Sequence, residues 1–316
     1  MDIDILLALQ EFRNGAGGFL TEFFSKMTFL GEINSAIVIM AILYWSVSKE
    51  LGACLLMGWS GNRLANGVLK VTACAYRPWI RDSRILPYGN SISTATGYSF
   101  PSGHTMNAAT VFGGIAVRKD YPRALRIVLG FVLALVAVSR IYLGVHTPQD
   151  VLVGAGIGIL VMWLTLRLMR WVEANPGKGW LVVCIGVGLG AAVALYAAVK
   201  PYPADYDADG KLIVDGTKMA NDTFKGVGYS VAFLAGWILE RRFVNFTTEV
   251  PVRQKLMRAV IGLLGYYAVS LILIPLVKTW ASGPVITFLS CFIQMFYIAF
   301  LFPLCVKRME RSLTIF

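Results

Sequence analysis

Charge is scarce in this chain. Asp, Glu, Lys and Arg make up 15% of its 316 residues, against about 25% in a soluble globular protein. That scarcity argues against a pair of ordinary water-exposed domains, the arrangement that length alone would suggest. Cysteine is sparse too. Cys54, Cys74, Cys184, Cys291 and Cys305 are far apart and lie mostly in apolar runs. No Cys-x-x-Cys pair and no Cys/His spacing of a zinc site is present, so they read as small apolar packing residues. There is no periodic repeat and no low-complexity tract, which excludes repeat arrays. The start, MDIDILLALQEF, lacks the basic region and long apolar core of a cleavable signal peptide; it predicts a helix lying on a membrane surface. Histidine occurs only twice, at His104 and His146.

What fills the sequence instead is apolar residues, 57% of the total, with a mean hydropathy of +0.65. Hydrophobic runs of about 17–25 residues recur, each long enough to span a bilayer as a helix. The expected architecture is all-α, a polytopic transmembrane helical bundle of about nine spans. They lie near 33–48, 51–71, 103–118, 125–145, 149–171, 179–199, 225–240, 257–277 and 284–306. Residues 17–31 are compatible with either an interfacial helix or a partial span. The expected division is an interfacial segment over 1–32, a catalytic core over 33–199, an extracytoplasmic loop over 200–224 and a transmembrane extension over 225–316.

The net charge is +11. In a soluble protein this would suggest nucleic acid, but the basic residues sit between spans and not in a patch interleaved with stacking aromatics, so no nucleic-acid partner is expected. Instead they report orientation. Alternate loops hold Lys49; Arg118, Lys119, Arg123 and Arg126; Arg167, Arg170 and Lys178; Arg241, Arg242, Arg253, Lys255 and Arg258; and Lys307, Arg308 and Arg311. Acidic residues are few in those loops, whereas basic and acidic residues balance on the opposite side. The basic side is expected to be cytoplasmic, with the N-terminus outside and the C-terminus inside.

Two loops interrupt the apolar pattern. Residues 72–102 are rich in Ser, Thr, Gly and Pro. Residues 200–224 contain Asp205, Asp207, Asp209 and Gly210, which resemble the start of an EF-hand loop; the twelfth position is Gly216 where a glutamate would close the site. A solvated acidic turn is the expectation there.

Ionisable groups near a bilayer are expensive and usually functional. Here they gather at one end of the second to fifth spans, on the predicted outer side. Lys70 and Arg77 are seven residues apart, about two helical turns, and Asn62 and Asn66 extend that face. Taken alone, both cations would be read as snorkelling to the interface; the polar stripe leading to Lys70 argues for an interior position. Pro101-Ser102-Gly103-His104 precedes an apolar run. Ser102 is a natural helix cap, and a helix N-terminus offers N–H groups to an anion. Ser139, Arg140, His146 and Asp150 form the third group. Thr147-Pro148-Gln149-Asp150 also reads as a helix start, so Asp150 has a capping role open to it beside any contact with His146.

Together, Lys70, Arg77, Arg140 and the backbone near Ser102 and Gly103 compose a site for a tetrahedral anion. Phosphoryl transfer requires neutralised oxygens and an aligned nucleophile. A neutral imidazole is a competent nucleophile near neutral pH, a carboxylate beside it fixes its tautomer, and a second imidazole can protonate a leaving alkoxide. No carboxylate cluster for two metals accompanies these residues, so a metal-free covalent route is expected, with no cofactor.

These residues resemble the type-2 phosphatidic acid phosphatase superfamily, whose motifs are K-x6-RP, PSGH and SR-x5-H-x3-D. Lys70/Arg77/Pro78, Pro101 to His104, and Ser139/Arg140/His146/Asp150 match them in order. The resemblance covers about 80 residues across four spans. It implies that His146 is a nucleophile forming a phosphohistidine, that Asp150 orients it, and that His104 protonates the leaving group. It implies further that Lys70, Arg77, Ser102, Gly103 and Arg140 hold the phosphoryl oxygens. The span count is similar to the glucose-6-phosphatase and sphingosine-phosphate phosphatase branches. The leading expectation is a membrane-embedded phosphatase of a lipid phosphate or pyrophosphate, acting on the periplasmic, extracellular or lumenal side. A phosphotransferase, a soluble-sugar phosphatase and a non-catalytic lipid-binding or transport protein are the alternatives. A vanadate haloperoxidase shares the anion site but does not suit a nine-span chain. Oligomeric state is not encoded in any of these patterns.

Overall fold

The computed structural model describes residues 2–207, 209–280 and 282–313. Among them there is no β-strand, only an isolated bridge between Tyr206 and Leu212. The helices in chain order are α1 (Asp2–Gly15), α2 (Gly18–Met27), α3 (Ile33–Ile42), α4 (Lys49–Ala73), α5 (Pro78–Arg81), α6 (Gly103–Ala108), α7 (Gly114–Ala116), α8 (Arg123–Tyr142), α9 (Pro148–Ala174) and α10 (Gly179–Val199). They continue with α11 (Gly216–Leu239), α12 (Val252–Ala268), α13 (Ile274–Trp280), α14 (Pro284–Phe296) and α15 (Phe302–Leu313).

Five stretches are long and apolar enough to cross a membrane: Arg123–Tyr142, Pro148–Ala174, Gly179–Val199, Val252–Trp280 and Pro284–Met309. Gly18–Gly31 and Ile33–Val47 make a sixth candidate if taken as one span bent by 59°. The protein is therefore an all-helical, multi-pass membrane protein. Each of the nine hydrophobic segments read from the sequence is helical. Besides Ile33–Val47, which is long enough only when joined to Gly18–Gly31, three of them fall short of a full apolar span for identifiable reasons. Helix α4 carries Asn62, Arg63, Asn66 and Lys70. The helix beginning at Gly103 ends at Ala116 after a wide turn at Ala109–Gly113. The first turns of α11 hold Lys218, Asn221, Asp222 and Lys225.

The chain divides into two compact units interleaved in sequence. One comprises Met1–Ile37, Ala65–Leu164 and Lys200–Met219; the other comprises Val38–Leu64, Thr165–Val199 and Ala220–Phe316. In the second, Trp45 packs on Phe302 at 4.6 Å between ring centroids and donates to the Ile298 carbonyl at 2.9 Å. A buried carboxylate there, Glu240, is matched by Lys49 at 2.8 Å.

The first unit holds every residue of the three motifs. Helix α6 packs on α8 and on the turn at Thr28–Gly31. Val71, Tyr98, Val214 and Met219 form one small core; Ala95, Tyr142, Leu143 and Val145 form another. The acidic loop folds back here. Asp207 accepts hydrogen bonds from the amides of Asp209 (3.1 Å) and Lys211 (2.9 Å), and Asp205 accepts from the Tyr76 hydroxyl. Those bonds organise a local polar turn.

Close approach of α9 to α6 depends on small residues. A Cβ at Gly158 would lie 2.5 Å from the Ala109 Cβ, and one at Gly154 would lie 3.0 Å from the Ser102 carbonyl oxygen. Overpacking at such a point costs about 1–3 kcal/mol. Gly158→Ala is therefore expected to lower the temperature of half-inactivation in detergent by several degrees, whereas Gly156→Ala, which meets nothing within 4 Å, leaves it unchanged. Equal stability of both variants would contradict this packing.

Candidate active site

Local backbone chemistry brings the third motif into place. Helix α8 ends at Tyr142, and Gly144 adopts a φ of +74°, a conformation glycine accepts without a Cβ penalty. The carbonyl of Arg140 then accepts from the amides of both Val145 (3.1 Å) and His146 (3.2 Å). That reversal ties His146 to the backbone of the motif's arginine. Helix α9 starts two residues later through a reciprocal cap. Thr147 Oγ1 accepts from the Asp150 amide at 3.3 Å, and Asp150 Oδ2 accepts from the Thr147 amide at 2.8 Å. The same Oδ2 lies 3.3 Å from His146 Nδ1. The two roles open to Asp150 in the sequence thus coexist on one atom.

Arg77 covers the other side of the ring. Its Nη1 is 2.8 Å from His146 Nε2 and 3.5 Å from Nδ1. A nitrogen that close to both ring nitrogens stands over the imidazole, off the line of the Nε2 lone pair. The guanidinium also donates to the carbonyls of Gly97 (3.0 Å), Thr96 (3.2 Å) and Val145 (3.0 Å). Arg77 is 3% exposed, and burial pushes its guanidinium down to about 10.

Lys70 reaches the segment before the second motif. Its Nζ donates to the Tyr98 carbonyl at 2.7 Å, with the Ser99 carbonyl at 3.4 Å. Asn66, one turn earlier, donates to the Pro101 carbonyl at 3.3 Å. Ser102 caps α6 by accepting from the Thr105 amide at 3.4 Å, and its own amide donates to the Asp150 carbonyl at 2.9 Å. A Cβ at Gly103 would meet only the Asn66 side chain, at 3.7 Å. The second and third motifs are therefore joined by direct backbone bonding.

Arg140 is fully buried. Its Nη1 donates to Thr28 Oγ1 at 2.5 Å, while its Nε and Nη2, and Nε2 of His104, have no hydrogen-bond partner among the described residues. Buried donors without acceptors are costly. An anion with several oxygens would satisfy them, and the surrounding positive charge favours one. All eight residues singled out from the sequence thus share one unit. Arg77 and Asp150 each contact His146, Ser102 is bonded to Asp150 through the backbone, and Lys70 is anchored on the Tyr98–Ser99 carbonyls. Thr28 and Ser99 were not foreseen. Thr28 is remote in sequence and carries no motif. Ser99 sits three residues before Ser102 in a loop already full of hydroxyls, and only its position in the fold sets it apart.

Comparison with known proteins gives two family matches. Residues 50–174 match the model of the PAP2 superfamily, and residues 224–312 match that of the PAP2 superfamily phosphatase, transmembrane extension. A phosphatidylglycerophosphatase B of Bacillus subtilis (strain 168) is 33% identical over 157 residues, covering 46% of this chain and 73% of that protein. The lipid phosphate phosphatase delta of Arabidopsis thaliana is 26% identical over 177 residues, 52% of this chain and 42% of its own. The glucose-6-phosphatase catalytic subunit 1 of Haplochromis nubilus is 27% identical over 164 residues, covering 44% and 46% respectively. The chain thus spans less than half the length of the plant and fish relatives.

His146 lies in the connection between α8 and α9. Burial, and then the charges of Arg77, Arg140 and Lys70, hold its imidazole well below the ordinary value of 6.5. A depressed value means the ring protonates only as pH falls below that of a free histidine. With two histidines in the chain, 15N-labelled imidazole spectra in detergent resolve both. The His146 ring is expected to remain neutral at pH 6; a ring that titrates at or above 6.5 would contradict the electrostatics described.

Proposed function

Because the chain belongs to the PAP2 superfamily, we propose that it removes phosphate from a lipid phosphate or pyrophosphate by way of a phosphohistidine on His146. It is a phosphoric monoester hydrolase embedded in the membrane. The observation that carries the mechanism is the buried Arg77–His146–Asp150 contact beside the unpartnered donors of Arg140 and His104.

The Nδ1–H of His146 is directed at Asp150, which leaves the Nε2 lone pair for attack on phosphorus. As the phosphoryl group arrives, Arg77 exchanges its contact with the ring for the phosphoryl oxygens. Lys70, Arg140 and the backbone amides at Ser102 and Gly103 neutralise the remaining oxygens, stabilising the charge that spreads over them in the transition state. The N–P bond forms as the bond to the leaving oxygen breaks, and His104 gives that oxygen its proton. Water, deprotonated by the same His104, then attacks phosphorus; the N–P bond breaks, orthophosphate leaves and His146 returns to its neutral form. Three side-chain cations supply the neutralisation that a metal gives in two-metal hydrolases, so the route is proposed to be metal-independent, with no cofactor.

The reading extends to topology. The distribution of Lys and Arg supports nine spans with the N-terminus outside, the C-terminus cytoplasmic and the site facing the periplasm, the exterior or an organelle lumen. Residues 33–199 would carry catalysis, 1–32 would lie at the interface, and 200–224 and 225–316 would be loop and extension. A site at the membrane edge suits a molecule with a phosphate head and an apolar tail. The similarity to a glucose-6-phosphatase supports a second reading, a soluble sugar phosphate as substrate.

A phosphate-release screen over phosphatidate, phosphatidylglycerol phosphate, isoprenyl diphosphates, sphingoid phosphates and sugar phosphates separates these readings. Release from a lipid is expected, unchanged by EDTA and inhibited by vanadate. His146→Ala is expected to reduce it by roughly a thousandfold or more. Release from sugar phosphates alone selects the second reading, and transfer only to an added acceptor selects a phosphotransferase. Full activity in folded His146→Ala would end the phosphohistidine mechanism.

A further inference from the structure

Ser99 belongs to none of the three motifs, yet its side chain touches two of the residues in them. It is 1% exposed. Its Oγ lies 2.5 Å from Asp150 Oδ2 and 3.4 Å from His146 Nδ1. We propose that Ser99 is a positioning residue for phosphoryl transfer: it bridges Asp150 to His146 and holds the proton of the imidazole on Nδ1. The proposal rests on the phosphohistidine reading above and adds a residue to it.

Asp150 Oδ2 faces three donors: the Thr147 amide at 2.8 Å, the Ser99 hydroxyl at 2.5 Å and the His146 ring at 3.3 Å. The ring contact is the longest and lies beyond the usual N–H···O range. Asp150 alone would therefore hold the imidazole loosely. Ser99 has one proton, and the short distance assigns it to the carboxylate. Its lone pairs are then free to face Nδ1. The ring N–H accordingly meets two acceptors, Oδ2 and Oγ, and neither can accept from Nε2 in the same orientation. Both contacts are long, 3.3 and 3.4 Å, so it takes the two together to favour the Nδ1–H tautomer and set the tilt of the ring, and with them the direction of the Nε2 lone pair. Without the hydroxyl, the single long contact that remains allows the ring to rock and its proton to move to Nε2, where it blocks attack.

The backbone around Ser99 is built to keep the hydroxyl there. Its amide donates to the Ala75 carbonyl at 2.7 Å. Lys70 holds the Tyr98 carbonyl, Arg77 the Gly97 carbonyl and Asn66 the Pro101 carbonyl. The Tyr98 amide donates to Met219 Sδ at 3.4 Å, from the start of α11. Residues 97–101 are thus pinned at four backbone points, on Gly97, Tyr98 and Pro101, plus the serine amide. A segment held this firmly delivers a short side chain with little freedom, which is what a group acting through another requires. Thr or Cys at this position would keep a hydrogen-bonding atom; Ala or Val would not.

The charged and titratable groups near His146 are Arg77, Lys70, Arg140, His104 and Asp150. Replacing Ser99 by Ala changes no charge among them and removes only the hydroxyl's own contacts with Asp150 and His146, so a change in the ring's tautomer reports the loss of that hydroxyl.

The test compares Ser99→Ala, Ser99→Thr and Ser99→Val, the last two being nearly equal in volume. His146→Ala and the parent protein serve as references. In phosphate release, Ser99→Ala and Ser99→Val are expected to lose roughly 10- to 100-fold in kcat with little change in KM, and Ser99→Thr to stay within a few-fold of the parent. In 15N imidazole spectra, the parent is expected to show His146 protonated on Nδ1, and Ser99→Ala to show a population protonated on Nε2. Parent-like kcat in folded Ser99→Ala or Ser99→Val, or an unchanged Nδ1–H tautomer, would overturn the proposal. Should Ser99→Ala fail to fold, Thr against Val decides. The spectrum requires no turnover, so the role of Ser99 is decided even if the parent hydrolyses no lipid phosphate; a parent that hydrolyses lipid phosphate alongside a fully active His146→Ala would instead defeat the phosphohistidine reading.

Discussion

The site is organised by buried positive charge held mainly by backbone carbonyls. Arg77 and Arg140 are almost wholly enclosed, Lys70 lies beside them, and among the described residues Asp150 is the one carboxylate hydrogen-bonded to the His146 ring. Enclosing cations without matching anions is unfavourable, and removing them from water strengthens every interaction they make. The fold tolerates this by spending backbone carbonyls on them. Arg77 takes the carbonyls of Thr96, Gly97 and Val145, Lys70 takes that of Tyr98, and Arg140 takes the hydroxyl of Thr28. Those bonds stiffen the long loop before α6 and leave two donors of Arg140 and one ring nitrogen of His104 over. In the mechanism proposed above, a phosphoryl group would supply the missing acceptors and negative charge together.

Much of this could be read in the sequence because the chemistry is local. Ser102 announces a helix start, and Thr147 and Asp150 form a cap. Each of those readings uses residues within seven positions of one another. The seven-residue spacing of Lys70 and Arg77, read as two helical turns, is corrected by the structure: α4 ends at Ala73, Cys74 turns the chain with a φ of +46°, and Arg77 stands extended before α5. What could not be read depends on contacts between distant segments. Ser99 meets Asp150 across 51 positions, and Thr28 meets Arg140 across 112. Lys70 was expected at phosphate oxygens; the structure shows it as a clamp on the Tyr98 and Ser99 carbonyls. No spacing rule could reveal that, because a lysine near a carbonyl and a lysine near a phosphate have the same sequence.

The spans show a related limit. Long apolar helices such as α8, α9 and α10 declare themselves by composition. Helix α4 does not, because one face carries Asn62, Arg63, Asn66 and Lys70, and the helix starting at Gly103 is short. Those departures from a plain span fall largely where the site is built. Hydropathy thus loses clarity where a membrane helix contributes polar groups to chemistry.

The central claim is that His146 forms a covalent bond to phosphorus. Rapid quenching of the protein during turnover of a 32P-labelled lipid phosphate, followed by peptide mapping in alkali, tests it most directly. An acid-labile, alkali-stable label on the peptide containing His146, absent in His146→Ala, is the predicted result. Turnover without any such label, or a label on another residue, would contradict the account.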